Sequence, residues 1–239
     1  MRSSVFSLLF LLPFMVSAQI TEVGEFLNFR AGLLFSPDFT YRTLRGDMEN
    51  NVRQLRDHYE LPKTGFTGGV NMIFRFHKKL AIEGGFLYSN KGERTKTGNY
   101  NLIVFNEDDP LRPDMQASFI NTYRYLDLPI KLNYYLRPKH IAIYISAGIS
   151  PNIFLGQSTT TVIDTDDSRI HIRRTLRNHN FSSVDLAGLI ALGFDIKASQ
   201  RWSIRFEPTF RHSLRSIMDT TLRTYLYSAG VNTGVYLML

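Results

Sequence analysis

The 239-residue chain contains no cysteine. Disulfide staples, thiolate-bound metals and a lipid-modified N-terminal cysteine are therefore excluded. It also lacks any apolar run of the roughly 20 residues that an α-helix needs to cross a bilayer. Its longest run, Val5 to Val16, is broken by Ser7 and Pro13. There is no glycine-rich phosphate-binding loop. Stability must come from strand pairing and burial.

What the chain does have is positive charge, aromatic rings and a leader-like start. Lys and Arg number 28 against 21 Asp and Glu, a formal net charge of +7 with a pI near 9.6. That balance suits an anionic membrane surface; without a basic-aromatic recognition module it gives nucleic-acid binding little support. Aromatic residues reach 13%, dominated by Phe and Tyr, as interfacial aromatic girdles require. Met1-Arg2 is a short basic start, and Val16-Ser17-Ala18 resembles a peptidase site, so residues 1–18 are expected to be a cleaved signal peptide rather than a retained anchor. The remaining residues, 19–239, suit a single domain.

Tyr123 to Leu136 carries the strongest pattern. Leu126, Leu128, Ile130, Leu132, Tyr134 and Leu136 make one apolar face; Tyr125, Asp127, Pro129, Lys131 and Asn133 make the other. Alternation with period two is a strand signal, and the run exceeds the roughly 9–11 residues that a tilted strand needs to cross a bilayer. Similar alternation recurs over residues 26–36, 66–76, 80–91, 141–155, 184–196, 202–210 and 225–239. The count is eight. Connections alternate between long polar segments and tight turns at His77-Lys78-Lys79, Arg137-Pro138-Lys139 and Ala198-Ser199-Gln200. A short helix is expected near Met48–Asp57 in the first long segment.

This pattern predicts an all-β fold: an eight-stranded antiparallel up-and-down transmembrane β-barrel with short periplasmic turns and long extracellular loops. Backbone groups in lipid must all be paired, so the sheet has to close. Eight strands leave a lumen just wide enough for its own side chains. The inward face then carries Arg30, Arg75, Lys91, Lys131, Arg205 and Arg211 against Glu83, Asp127, Asp185, Asp195 and Glu207. A soluble barrel would reverse the faces; isolated charges set among glycines, serines and asparagines favour a narrow filled lumen. Register counted from the tight turns places Arg205 near Asp195 and Arg75 near Glu83. Pro129, Pro151 and Pro208 cannot donate to a ladder. A bulge or missing ladder bond is expected at Pro129, re-aiming Asp127 towards the lumen.

Three segments carry a family resemblance: F-S-P-D-F-T-Y-R-T-L (Phe35 to Leu44), G-F-L-Y-S-N-K-G (Gly85 to Gly92) and Y-R-Y-L-D-L-P-I-K-L-N-Y-Y (Tyr123 to Tyr135). They resemble the PorT family of outer-membrane β-barrels over essentially the whole chain after the leader. The second and third segments mark the barrel. The first, a serine-proline-aspartate turn into an arginine-bearing loop, is similar to the members associated with type IX secretion. The resemblance implies an accessory role in exporting or maturing surface proteins through protein partners of a secretion apparatus. Asp127 stands where many members have glutamate, a conservative departure. A structural or adhesive barrel with no secretion role is the alternative, and an outer-membrane lipid-modifying enzyme is a remote third.

Catalytic and metal sites are not expected, nor is a cofactor. His212-Ser213 is the one tempting base–nucleophile pair, but adjacent strand residues face opposite ways and no acid is placed to orient the histidine. Asp164, Asp166 and Asp167 resemble part of a calcium loop without its glycine and distal glutamate. The basic outer segments are more suggestive. Arg42, Arg45, Arg169, Arg173, Arg174, Arg177 and Arg215 would lie at the level of lipopolysaccharide phosphates, which arginine forks bind bidentately.

Overall fold

The computed structural model describes residues 28–46, 50–98, 116–137, 141–165, 168–176, 181–218 and 223–239. The expected leader, residues 1–18, lies outside them, as do Arg177 and most of the turn at Arg137-Pro138-Lys139. Among the described residues there are ten strands and one helix: β1 (Asn28–Arg45), α1 (Asn50–Tyr59), β2 (Glu60–His77), β3 (Leu80–Thr95), β4 (Gln116–Asp127), β5 (Ile130–Arg137), β6 (Ile141–Thr165), β7 (Ser168–Leu176), β8 (Val184–Lys197), β9 (Trp202–Ser213) and β10 (Arg223–Met238).

Antiparallel pairing runs β1–β2, β2–β3, β3–β4 and β3–β5, β4–β6 and β5–β6, then β6–β8, β8–β9, β9–β10 and back from β10 to β1. The ring is closed. β4 and β5 share the same two neighbours and form one staircase position, so eight positions make up the circle, while β7 pairs with the outer end of β6, Gln157 to Thr165.

The break between β4 and β5 falls at Leu128-Pro129, where the sequence predicts a lost ladder bond. No bulge accompanies it. Asp127 pairs with Leu87 and Ile130 with Gly84 on one side; Asp127 pairs with Asn152 and Ile130 with Ile149 on the other. The register is identical before and after the gap. Leu128 still donates its N–H to the Pro151 carbonyl at 2.9 Å. Asp127 faces the lumen by simple alternation and is not re-aimed. Pro208 behaves alike: it keeps its partner Val231 on β10, while the β8–β9 ladder skips from Ala191–Thr209 to Phe194–Phe206 without changing register.

Face assignment follows the alternation. Leu33, Phe35, Phe39, Phe86, Ile130, Ile190 and Phe206 are exposed on the outer face, whereas Arg30, Glu83, Lys131, Asp195 and Arg205 are buried. Such an apolar exterior and charged interior fits a barrel in lipid. The strands run further outward than hydrophobic alternation marks. β1 continues through Pro37 to Arg45, and β6 spans 25 residues. Beyond the bilayer neither face needs to be apolar, so β-pairing persists there without the lipid-imposed pattern. The segment read as a loop from Gln157 to Asn180 is largely a hairpin, the outer part of β6 with β7.

Candidate functional site

The lumen is packed in layers. At the periplasmic end, Arg30 Nη1 lies 2.8 Å from Asp195 Oδ2 and donates to Ser203 Oγ at 3.2 Å. Arg75 stacks over the Tyr135 ring at 3.8 Å. At mid-height Glu83 is held by Lys131 at 2.6 Å, Arg205 at 2.7 Å, Asn71 at 2.7 Å and Asn133 at 2.6 Å. Glu207 pairs with the same Lys131 at 2.7 Å and accepts from Tyr144 and Asn232, each at 2.7 Å. The Arg205 guanidinium lies 4.2 Å from the Tyr144 ring and 5.4 Å from Tyr236. Gly193 makes room for this: a Cβ there would lie 1.9 Å from Tyr144 Cζ.

Further out, Asp38 accepts from Ser36 at 2.7 Å, Thr67 at 2.5 Å and Arg211 at 3.1 Å. Lys91 pairs with Asp127 at 2.9 Å, and Asp185 accepts from Ser213 at 2.7 Å and Asn152 at 3.2 Å. Above them Tyr123, Tyr125, Ile217 and Leu226 form a buried apolar cluster backed by Phe154, Phe181 and Met218. The β9–β10 connection reaches this cap because Ser182 N–H donates to the Ile217 carbonyl at 3.0 Å. A cavity among Asn71, Glu83, Lys131 and Arg211 measures about 20 Å³, and one between Lys91, Arg211 and Ser213 about 10 Å³. Each has room for about one water molecule.

All eleven lumen charges singled out from the sequence face inward. Their partners differ in one case. Arg205 and Asp195 are register partners, with Nε and Oδ2 3.9 Å apart. Arg75 and Glu83 do not meet: the tight turn sets Arg75 opposite Ala81 and Ile73 opposite Glu83, leaving Arg75 on Tyr135. Sequence reasoning missed Asp38, because Pro37 reads as the end of a strand. With Asp38 this set of lumen charges comes to six acids (Asp38, Glu83, Asp127, Asp185, Asp195, Glu207) and six bases (Arg30, Arg75, Lys91, Lys131, Arg205, Arg211). The tyrosines that wedge between the charges, Tyr135, Tyr144 and Tyr236, also escape a reading by charge alone; their inward parity is the available signal.

His212 and Ser213 diverge. Ser213 turns inward to Asp185. His212 lies on the outer side, 6.4 Å from Tyr227 with ring planes 9° apart. Among the described residues no group of three or more His, Asp or Glu side chains is placed to hold a metal.

The arginines assigned to lipopolysaccharide separate into distinct roles. Arg42 is a correction: it points inward, is buried, and pairs with Asp57 at 2.7 Å and Glu60 at 2.5 Å. Arg56 of α1 joins it on Glu60 at 2.6 Å, so these ion pairs fasten the helix to β1 and β2. Arg169 pairs with Asp164 on the β6–β7 hairpin, and Arg173 donates weakly to Ser158 at 3.4 Å. Arg174 is exposed on the same hairpin. Arg45 stacks over Tyr225 at 5.4 Å, and Arg215 lines an outer-rim recess together with Arg223, a residue the sequence reading did not single out.

Two ionisable groups above the bilayer are perturbed by burial. Lys63, whose Nζ donates to Asn90 at 2.5 Å, is pushed down to about 8, chiefly by desolvation. Glu93 is held above the usual carboxylate range by desolvation and by Glu60, against hydrogen bonds from Tyr123 at 3.0 Å and Asn121 at 3.1 Å.

Residues 17–220 match the family described as outer membrane protein beta-barrel domain. No curated protein matches the chain. Among solved structures it is similar to neisserial surface protein A, at 11% identity and a TM-score of 0.42 over 87% of this chain and 96% of that one. It is similar also to Ail, the attachment invasion locus protein of Yersinia pestis, at 11% identity and 0.38 over 87% and 98%. The outer membrane protease OmpT of Escherichia coli gives 8% identity and 0.42 over 89% and 97%. The assignment rests on the family match and on the closed ring of pairings. The chain belongs to the outer membrane beta-barrel domain family, and its place is the outer membrane.

Proposed function

We propose that this barrel is an accessory component in the export or maturation of surface proteins, of the type IX secretion kind, and that it acts by binding partner proteins rather than by catalysis. The observation that carries this reading is the β6–β7 hairpin standing above a filled lumen. Among the described residues β7 pairs on one side only, with β6. An unpaired strand edge is a template for β-augmentation by an extended chain. Its exposed Arg173 and Arg174 favour an acidic partner segment. The packed lumen offers no comparable surface. The PorT resemblance of Phe35 to Leu44 supplies the link to secretion.

Deleting the gene and measuring surface-protein export tests the proposal. Cargo should be retained inside the cell, and restoring a barrel trimmed of residues 159–174 should fail to rescue it. Normal export after deletion would defeat the secretion reading and leave a structural or adhesive barrel. Full rescue by the trimmed barrel would instead remove the hairpin from the mechanism.

A further inference from the structure

We propose that the outer rim of β1, β9 and β10 binds the phosphate of an outer-leaflet glycolipid, lipid A of lipopolysaccharide, through Arg45, Arg215 and Arg223. The inference stands apart from the secretion reading.

The ladder supplies the first reason. Arg45 and Arg223 are direct cross-strand partners on β1 and β10. Like charges directly opposite one another destabilise a sheet. Both side chains are exposed, and no carboxylate of the described residues pairs with them or with Arg215. A dianion placed between the guanidinium groups would turn this repulsion into attraction.

Shape supplies the second. A recess of about 360 Å³ is lined by Ser182, Leu214, Arg215, Ser216, Arg223 and Tyr225, and Arg45 lies next to it, stacked over the Tyr225 ring. Its floor is already built and satisfied: Ser216 Oγ donates to the Met218 carbonyl at 2.7 Å and accepts the Thr224 N–H at 3.1 Å. Ser182 Oγ donates to the Ser216 carbonyl at 3.2 Å. The donors left to the recess are therefore the Arg215 and Arg223 forks, with Arg45 beside them over the Tyr225 ring, and fork geometry suits phosphate oxygens.

Position supplies the third, and it selects a lipid. Leu214 in the same recess is 56% exposed. One step towards the bilayer, Tyr227 packs edge-on to Tyr41 at 5.9 Å and flat on His212 at 6.4 Å. Such aromatic residues mark the bilayer interface. Guanidinium groups just above an aromatic girdle, with an exposed leucine between, match an amphiphile carrying its phosphate above its acyl chains.

The test measures binding of diphosphorylated lipid A, its enzymatically dephosphorylated form and inorganic phosphate to the detergent-solubilised full chain by native mass spectrometry. Wild type should bind the phosphorylated lipid at least about tenfold more tightly than the dephosphorylated lipid, since charge-assisted bonds to phosphate are lost. The triple variant R45S/R215S/R223S should lose the same margin while keeping its heat-modifiable barrel mobility. R201S, at the short turn on the opposite end of the barrel, should bind as wild type does. Equal binding by the triple variant, or an equal loss in R201S, would overturn the site. Inorganic phosphate binding as tightly as lipid A would overturn the lipid assignment. Where the triple variant fails to fold, R215S alone, two residues beyond the end of β9, must show a loss of binding.

Discussion

Arg205 and Glu83 lie 122 residues apart in the chain, yet Nη1 and Oε2 meet at 2.7 Å in the middle of the lumen, both side chains buried. Removing one member of a buried ion pair leaves a charge without compensation and costs about 3–5 kcal/mol. Arg205→Ala and Glu83→Ala are each expected to destabilise the barrel on that scale in urea unfolding in lipid or detergent. The double variant should lose clearly less than the sum, because the residues share a network. Additive losses would show that the pair does not couple.

Gly193 exists for the Tyr144 ring. Gly193→Ala forces a methyl group into the space of Tyr144 Cζ, and overpacking of this kind costs about 1–3 kcal/mol. Thermal or urea unfolding of the variant checks this. A wild-type midpoint would mean that the ring has room to move.

Pro129 interrupts the ladder without shifting it. Leu128 directs its N–H to β6, and successive N–H groups alternate in direction along a strand, so the next one faces β3. Pro129→Ala should therefore supply a donor towards β3. Hydrogen exchange should find the amide of the introduced alanine protected like its neighbours, with cross-strand contacts unchanged. A fast-exchanging amide, or a slipped register, would contradict the reading that the gap is a missing donor and nothing more.

Above the bilayer, Lys63 and Glu93 make the barrel's stability depend on pH in opposite senses. Folding lowers the Lys63 value to about 8. Its contribution is therefore fully present above the unfolded lysine range and is lost as pH falls through about 8. Folding raises the Glu93 value, so its contribution is present below the ordinary carboxylate range and is lost as pH rises through the raised value. At neutral pH both groups oppose folding. Lys63→Met and Glu93→Gln should each stabilise the barrel at pH 7, and Lys63→Met should flatten the stability profile above pH 8. A profile unchanged by Lys63→Met would exclude the lysine as its source.

How much could be read from the sequence follows from where lipid imposes order. Alternation is enforced across the bilayer, so the eight positions of the ring and the inward placement of Arg30, Glu83 and Lys131 were legible. Outside the bilayer the constraint lapses. The stretch Gln157 to Thr165 carries strand-forming threonines and valine but no lipid-facing face, and it reads as loop although it is strand. Asp38 was hidden behind Pro37 for the same reason. The Arg75–Glu83 expectation failed on a matter of two residues: the turn sets the hairpin register, and charge alone does not reveal it. Arg42 illustrates the limit for the rim. Its sequence context matches that of Arg45, but parity turns Arg42 inward onto Glu60 and Asp57 and Arg45 outward onto Tyr225.

The central claim is a sealed ring whose work is done on its outer surface. Planar-bilayer recording of the purified full chain tests it most directly. The packed, charge-paired lumen and its aromatic cap predict no stable stepwise current in the wild-type protein. A sustained open channel in wild type would show that the lumen conducts and would contradict the account.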